Sequence, residues 1–215
     1  MHVHCNHSSD AISKPETIMQ TAKSKGLVVA ITDHNTVSAW PLFQKLSKEM
    51  SWPFIQGEEV KVIESGKCTG EIIGLFLQGK VKPGSAGEVF DAIHGQGGLA
   101  MVVHPFDVFR NDFHGLKDFV KRIDLLEVFN SRTTLESHNK KAFEFAEKHG
   151  LPKTANSDAH IPEEIGMSFT EVNASTLEEA RRELLMGRAK LHTEKSPITV
   201  HFYTTLAKLN LVKDR

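Results

Sequence analysis

The stretch LAMVVHPF, residues 99–106, runs five apolar side chains straight into a histidine and a proline. An unbroken apolar run of that length reads as a strand buried on both faces, the pattern of a parallel sheet covered by helices. Runs of the same kind stand at LVVAI (27–31), EIIGLFL (71–77) and IDLLEV (123–128), with shorter ones at KTA (153–155) and TEV (170–172). Between them, Ser13 with Glu16, Ser85 with Glu88, Thr133 with Glu136 and Ser175 with Glu178 have the capping-box spacing that opens a helix. Gly26, Gly95, Gly150 and Gly187 stand where such helices would stop. A helix over 134–149 would set Leu135, Ala142, Phe145 and Ala146 on one core-facing stripe. Strand alternating with helix implies parallel strands joined by crossover helices, hence an α/β domain, either a barrel or an open sheet.

A chain of 215 residues, 40% of them hydrophobic, can bury a sizeable core without staples. The two cysteines, Cys5 and Cys68, make no disulfide framework. With no signal peptide and no apolar span of membrane length, the expectation is a soluble, cytoplasmic protein without a membrane partner. Lysine and arginine total 26 against 27 acids, for a formal charge of −1, so the broad basic field that holds duplex DNA is absent. The expected organisation is one domain over 1–190 and a C-terminal appendage over 191–215, with a short helix near 204–211.

The functional signal lies in the polar residues at the end of each apolar run. Residues 27–31 lead into Thr32, Asp33 and His34; 99–103 into His104; 125–129 into Asn130, Ser131 and Arg132; 153–155 into Asn156, Ser157, Asp158, Ala159 and His160. Parallel strands deliver all of these to one end of the sheet, the carboxyl end where α/β folds bind ligands. Each alone reads equally well as a strand cap, a helix cap or a turn. Together with Asp10, and with His2 and His4 on one face of an extended segment, they form a cluster rich in nitrogen and oxygen donors. Such donors suit Zn²⁺, Mn²⁺, Fe or Ni, and the lack of thiolates argues against a structural zinc knot. More than four donors imply more than one metal, and metals about 3.5–4 Å apart can clamp the attacking and leaving oxygens of a displacement. His7, His94, His114, His138, His149, His192 and His201 read as exposed or packing residues, and Cys5 as a packing residue on the face opposite His4.

Several motifs stand in order along the chain: HVHCNHSSD (2–10), AITDHNT (30–36), GEEV (57–60), GEIIGLFL (70–77), VVHPFD (102–107), EVFNSR (127–132) and NSDAH (156–160) with EIG soon after. The set resembles the PHP (polymerase and histidinol phosphatase) superfamily of metal-dependent phosphoesterases. That resemblance implies a distorted seven-stranded, TIM-like β/α barrel. It implies metal ligation by His2, His4, Asp10, His34, His104, Asp158 and His160, with Glu59 as a metal-bridging carboxylate. It also implies that Asp33 orients a ligand imidazole, and that Arg132, with Asn130, meets a phosphate. Two features depart from the family pattern. Glu71 stands where many relatives carry histidine, and is kept as a candidate ligand; only Met1 precedes His2, where relatives have a short strand and an acid.

The activity so implied is hydrolysis of a phosphate ester by a metal-activated hydroxide, with two or three divalent ions: Zn, Mn or Fe, with Mg also admissible. The expected substrate is a small phosphorylated metabolite, a nucleotide or a short oligonucleotide. Two competing readings are a non-catalytic, metal-stabilised scaffold or partner-binding domain, and an amidohydrolase-like carbon–nitrogen hydrolase. The last would favour a carboxylated lysine at a strand end, and no lysine stands at such an end.

Overall fold

A computed structural model describes residues 1–197, 199, 200, 204 and 205; His201 and most of the helix expected near 204–211 lie outside the described residues. Six strands pair in chain order: β1 (Ala30–Ile31), β2 (Ile55–Glu64), β3 (Lys67–Leu75), β4 (Leu99–Val102), β5 (Leu125–Asn130) and β6 (Lys153–Asn156). The sheet curls until its edges are joined by the first residues of the chain. Val3 bridges in parallel to Ile31 on one side and to Ala159 on the other, through Thr32 N donating to Val3 O (2.9 Å) and His4 N donating to Ala159 O (2.9 Å). The 2–4 segment is thus a seventh stave, and the fold is the distorted TIM-like α/β barrel. Beside it, β7 (Phe169–Glu171) and β8 (Lys190–His192) form a separate antiparallel pair.

The expectation of parallel strands throughout is corrected in one region. β1 and β2 are parallel, as are β4, β5 and β6, but β2 with β3 and β3 with β4 run antiparallel. The cause is local. Glu64 pairs with Lys67 across Ser65 and Gly66, both at positive φ (50° and 77°), which is the two-residue turn that matches the natural twist of a hairpin. β2 is hard to read as a strand from sequence because QGEEVKVIE alternates polar and apolar residues and contains no apolar run.

That alternation builds the barrel's layers. Ile55, Ile73, Leu75, Leu99, Met101 and Leu125 fill the lumen, while Val60, Val62, Ile72, Val102 and Leu126 pack outward with Phe90, Ile93, Ala142 and Ala146. These last four belong to the helices α3 (Ala86–Gly95) and α4 (Glu136–His149). On the far side α1 (Pro15–Ser24) and α2 (Trp40–Met50) place Ile18, Met19 and Phe43 against Val3 and Ile31. Burying each such side chain contributes about 1.5–3 kcal/mol.

Of the expected helix caps, Ser85 with Glu88 forms both halves of its box. The cap expected at Ser175 lies one residue on, where Thr176 caps α5 (Leu177–Leu185) by accepting from Glu179 N, while the Glu179 carboxylate accepts from Ser175 N. Ser13 and Thr133 cap nothing. α1 begins with Pro15, which has no N–H to satisfy, and Ser13 Oγ donates instead to His160 O at 3.3 Å. α4 begins after Leu135, which therefore lies ahead of the helix and is exposed rather than on the core stripe. At Ser196 the chain lies on the barrel rim: Ser196 N donates to Ser131 O (2.9 Å), and Ser196 Oγ to Glu164 (3.0 Å).

Candidate metal centre

The lumen is apolar at its base and polar above, because the strands keep their alternation. Glu71 lies in phase with Ile73 and Leu75 on β3, and Glu127 in phase with Leu125 on β5. On β2, Glu59 faces the lumen, whereas Glu58 faces outward and accepts from Val81 N at 2.7 Å. Burial pushes the Glu58 carboxyl up to about 7. His104 breaks the rule: it comes after the lumen-facing Val103 yet also points inward, at a left-handed φ of 30°. Asp158 is left-handed too, at φ 52°. Such backbone costs about 1–3 kcal/mol per residue, and strain of this kind gathers at functional sites. Both positions are tied down: Glu127 accepts from His104 N at 2.8 Å, and Asp158 Oδ2 accepts from Asn130 Nδ2 at 3.1 Å and from Arg110.

Every residue expected as a ligand meets in this lumen. Glu59 is at its centre. Its Oε2 stands 3.3 Å from His2 Nε2, 3.3 Å from His4 Nε2 and 3.0 Å from His34 Nδ1, while its Oε1 stands 3.2 Å from His104 Nε2. Asp158 Oδ1 lies 3.3 and 3.4 Å from the same nitrogens of His2 and His4. Asp10 lies between His34 Nε2 (3.5 Å) and His160 Nε2 (3.6 Å). Glu71 approaches His34 Nδ1 at 3.9 Å and His104 Nε2 at 3.7 Å. Among the described residues, His2 Nε2, His4 Nε2 and Glu59 Oε2 are buried without a hydrogen-bond partner, an arrangement that costs energy unless a cation lies between them. Four trios of donors each converge within 4.8 Å: His4–His34–His160, His2–Glu59–His104, His2–His4–Asp158 and His34–Glu59–Glu71. The imidazole and carboxylate set fits divalent metal ions.

Outer partners aim the imidazoles. His2 Nδ1 meets Glu127 Oε1 at 3.0 Å, and His160 Nδ1 donates to Asp158 O at 2.9 Å, so in each ring Nε2 is left to face the lumen. Asp33, expected to orient a ligand imidazole, reaches one through an intermediary. Its carboxylate accepts from Cys5 N, Cys5 Sγ and Ser8 Oγ, and only Ser8 reaches His4 Nδ1, at 3.5 Å. Burial, reinforced by His160 and His34, pushes His4 down to about 3, which keeps it neutral with a lone pair to offer. Burial works the other way on Asp158 and Glu59, but the charge of His2 and its neighbours holds both carboxyls well below their ordinary range.

The phosphate-facing expectations fare unevenly. Asn130 spends its amide on Glu127 and Asp158, so it supports the centre rather than facing a substrate. Arg132 lines the cleft, but its Nε faces Glu164 at 3.3 Å and its Nη2 is engaged by Val200 O and Thr204. Arg110 and Lys61 line the same cleft, and nothing in their sequence surroundings marks them. Glu127 opens the EVFNSR motif but receives no role from it, although a lone acid inside the buried run LLEV is a signal, since burying a charge without a partner is costly.

The sequence matches the PHP domain over residues 1–146 and the PHP-associated region over residues 136–189. The chain belongs to the PHP domain family. It is 30% identical over 224 residues to uncharacterized protein MJ0417 of Methanocaldococcus jannaschii, covering 100% of this chain and 84% of that one. Among solved structures, the fold is similar to a two-domain protein from Bacteroides vulgatus containing a predicted PHP-like metal-dependent phosphoesterase (TM-score 0.74, 18% identity). That likeness covers 90% of this PHP chain and 63% of the Bacteroides protein, so this chain spans less than two thirds of its length. The fold is also similar to the lesion-specific endonuclease PfuEndoQ from Pyrococcus furiosus (TM-score 0.59, 22% identity), over 89% of this chain and 56% of that one. Among the described residues of this PHP chain, no helix is long and apolar enough to cross a membrane.

Proposed function

We propose that this PHP chain is a metal-dependent phosphoesterase, acting on a small phosphorylated metabolite, a nucleotide or a short oligonucleotide. The observation that carries the reading is Glu59: its Oε2 faces His2, His4 and His34 while its Oε1 faces His104, so the one carboxylate would be available to more than one ion. His2, His4, His34, His104, His160, Asp10, Asp158 and Glu71 would complete the ligand set around it. Bound divalent ions would act as Lewis acids, lowering the pKa of water and offsetting charge on the phosphoryl oxygens.

The chain's own residues do the rest. Arg110 and Asn130 hold Asp158 Oδ2, which turns Oδ1 toward His2 and His4. Arg110, a quarter exposed, and Lys61 put positive charge on the cleft wall where phosphoryl oxygens would enter. The cleft holds about 570 Å³, a size that suits a nucleotide or metabolite. The two structural neighbours named for phosphoesterase and endonuclease chemistry support the same bond type.

The test is release of inorganic phosphate or alcohol from p-nitrophenyl phosphate, its bis-ester and a nucleotide panel, by protein stripped of metal and then reloaded with Mn²⁺ or Zn²⁺. Metal-dependent phosphoester cleavage is expected. Hydrolysis of amides instead would move the reading to carbon–nitrogen chemistry, and no turnover with metal bound would leave a scaffold.

A further inference from the structure

The loop after β4 carries a side chain that cleavage of a phosphoester does not require. Phe109 lines the cleft of the metal centre and is 70% exposed, the most exposed large hydrophobic side chain among the described residues. Its backbone is firmly placed. The buried Asp107 accepts from Phe109 N through Oδ1 at 3.1 Å, and Arg110 N donates to Asp107 O at 2.9 Å, the turn an aspartate builds ahead of itself. The same carboxylate faces His138 Nδ1 on α4 at 3.4 Å, and Phe113 N donates to Pro105 O at 2.9 Å, which closes the loop. The His138 ring stands 6.1 Å from the Phe109 ring, so α4 backs the phenyl group while most of it stays open. An isolated phenylalanine on an open surface needs no explanation. One held at the wall of a polar cleft by a buried aspartate does.

The residues beside it indicate what covers it. Arg110 reaches the centre through Asp158 and puts its guanidinium where a phosphoryl group would enter. Asn111, exposed on the same wall, offers an amide that both donates and accepts. Three consecutive residues thus present a flat apolar face, a phosphate-binding fork and a hydrogen-bonding edge, which are the groups that a base and its phosphate engage. An aliphatic or sugar phosphate would leave the ring bare, whereas a nucleobase supplies the π-face on which aromatic rings stack. The cleft, at about 570 Å³, has room for one nucleotide. We propose that Phe109 is a specificity-determining residue, a platform on which the base of a mononucleotide stacks while its phosphate meets the metal centre. The inference rests on the phosphoesterase reading above and narrows its substrate class.

Binding to the full, metal-loaded chain decides it. The probes are the 5′-phosphonates of adenosine and of ribose, which share a headgroup that hydrolysis cannot release and differ in the base. Isothermal titration calorimetry reads both. The adenosine probe is expected to bind at least about tenfold tighter, within the range that stacking of a base on an aromatic side chain supplies. Phe109→Ala should bring that ratio down to about twofold or less, and Phe109→Tyr, which keeps the flat ring, should preserve it. Circular dichroism checks that both variants fold. Equal affinity of the wild-type chain for the two probes, or loss of the ratio in Phe109→Tyr, would overturn the proposal. So would a ratio that survives in Phe109→Ala with both probes weakened alike, the mark of a loop that only positions Arg110. Because the probes are not cleaved, missing phosphate release counts against the phosphoesterase reading alone, and missing base preference against this proposal alone.

Discussion

The parallel and antiparallel halves of this barrel supply its polar centre in different ways. From β4 and β6 the residues come off strand ends: His104, Asp158 and His160 sit on the turns after them, two of the three with left-handed backbone. From the β2–β3 hairpin they come off mid-strand: Glu59 and Glu71 are ordinary extended residues whose position is set by side-chain alternation alone. The turn residues are held by a net of hydrogen bonds from Glu127, Asn130 and Arg110. The hairpin residues are held by the sheet itself. The first arrangement needs neighbours to stay in place; the second needs only register, because a one-residue slip would exchange Glu59 for Glu58.

Substitutions in the two halves can break this contrast, and the largest effect should come from the hairpin. Glu59→Gln removes the carboxylate shared by both ends of the lumen, and should lower metal content and phosphate release by more than about 100-fold, beyond the range typical of outer partners. Asp158→Asn, at a strand end, should cost less. Equal losses, read by elemental analysis and phosphate assay on the same samples, would remove the distinction.

Glu127→Gln tests the net that holds the turns. It keeps the shape but weakens the contacts to His2 and His104 N, and should reduce metal affinity on the order of 10–100-fold with the fold intact. Arg110→Ala should raise KM for a phosphomonoester roughly tenfold, the equivalent of one charge-assisted hydrogen bond of about 1.5–3 kcal/mol at its lower end, and, because Arg110 also holds Asp158, should weaken metal retention and kcat as well.

The smallest effect concerns Glu58, on the outward face of the same hairpin. Its folded carboxyl is raised to about 7 from an ordinary 4.5. The folded chain therefore keeps a proton that the unfolded chain releases, and stability falls as pH rises from 4.5 to 7. Glu58→Gln should flatten that slope by about 1–2 kcal/mol, read by urea unfolding at either end of the interval.

Much of this centre is legible in the sequence because the strand-end residues come directly after apolar runs, and an apolar run ending in histidine is visible without knowing the sheet. His34, His104 and His160 are found that way. Glu59 and Glu71 are not: nothing in the local pattern of QGEEVKVIE separates lumen-facing Glu59 from outward Glu58, Glu71 opens an apolar run instead of ending one, and only resemblance to a family names them. Glu127 and Arg110 stay hidden for different reasons. Glu127 acts through His2, so its role exists only once the barrel closes on Val3. Arg110 lies on the loop after β4, and reaches Asp158 across 48 positions of sequence. Asp33 shows the converse. The resemblance names it as the group that orients an imidazole but not the route, which runs through Ser8 to His4 Nδ1 and cannot be read from its place beside His34.

The central claim is that this lumen is a centre for more than one metal, joined by Glu59. The most direct measurement is the divalent metal content of the purified chain beside that of Glu59→Gln, with folding of both checked by circular dichroism. The account predicts at least two ions per wild-type chain and a loss of most of them in the variant. A wild-type chain that binds none after reloading, or a Glu59→Gln chain that keeps its full complement, would contradict it.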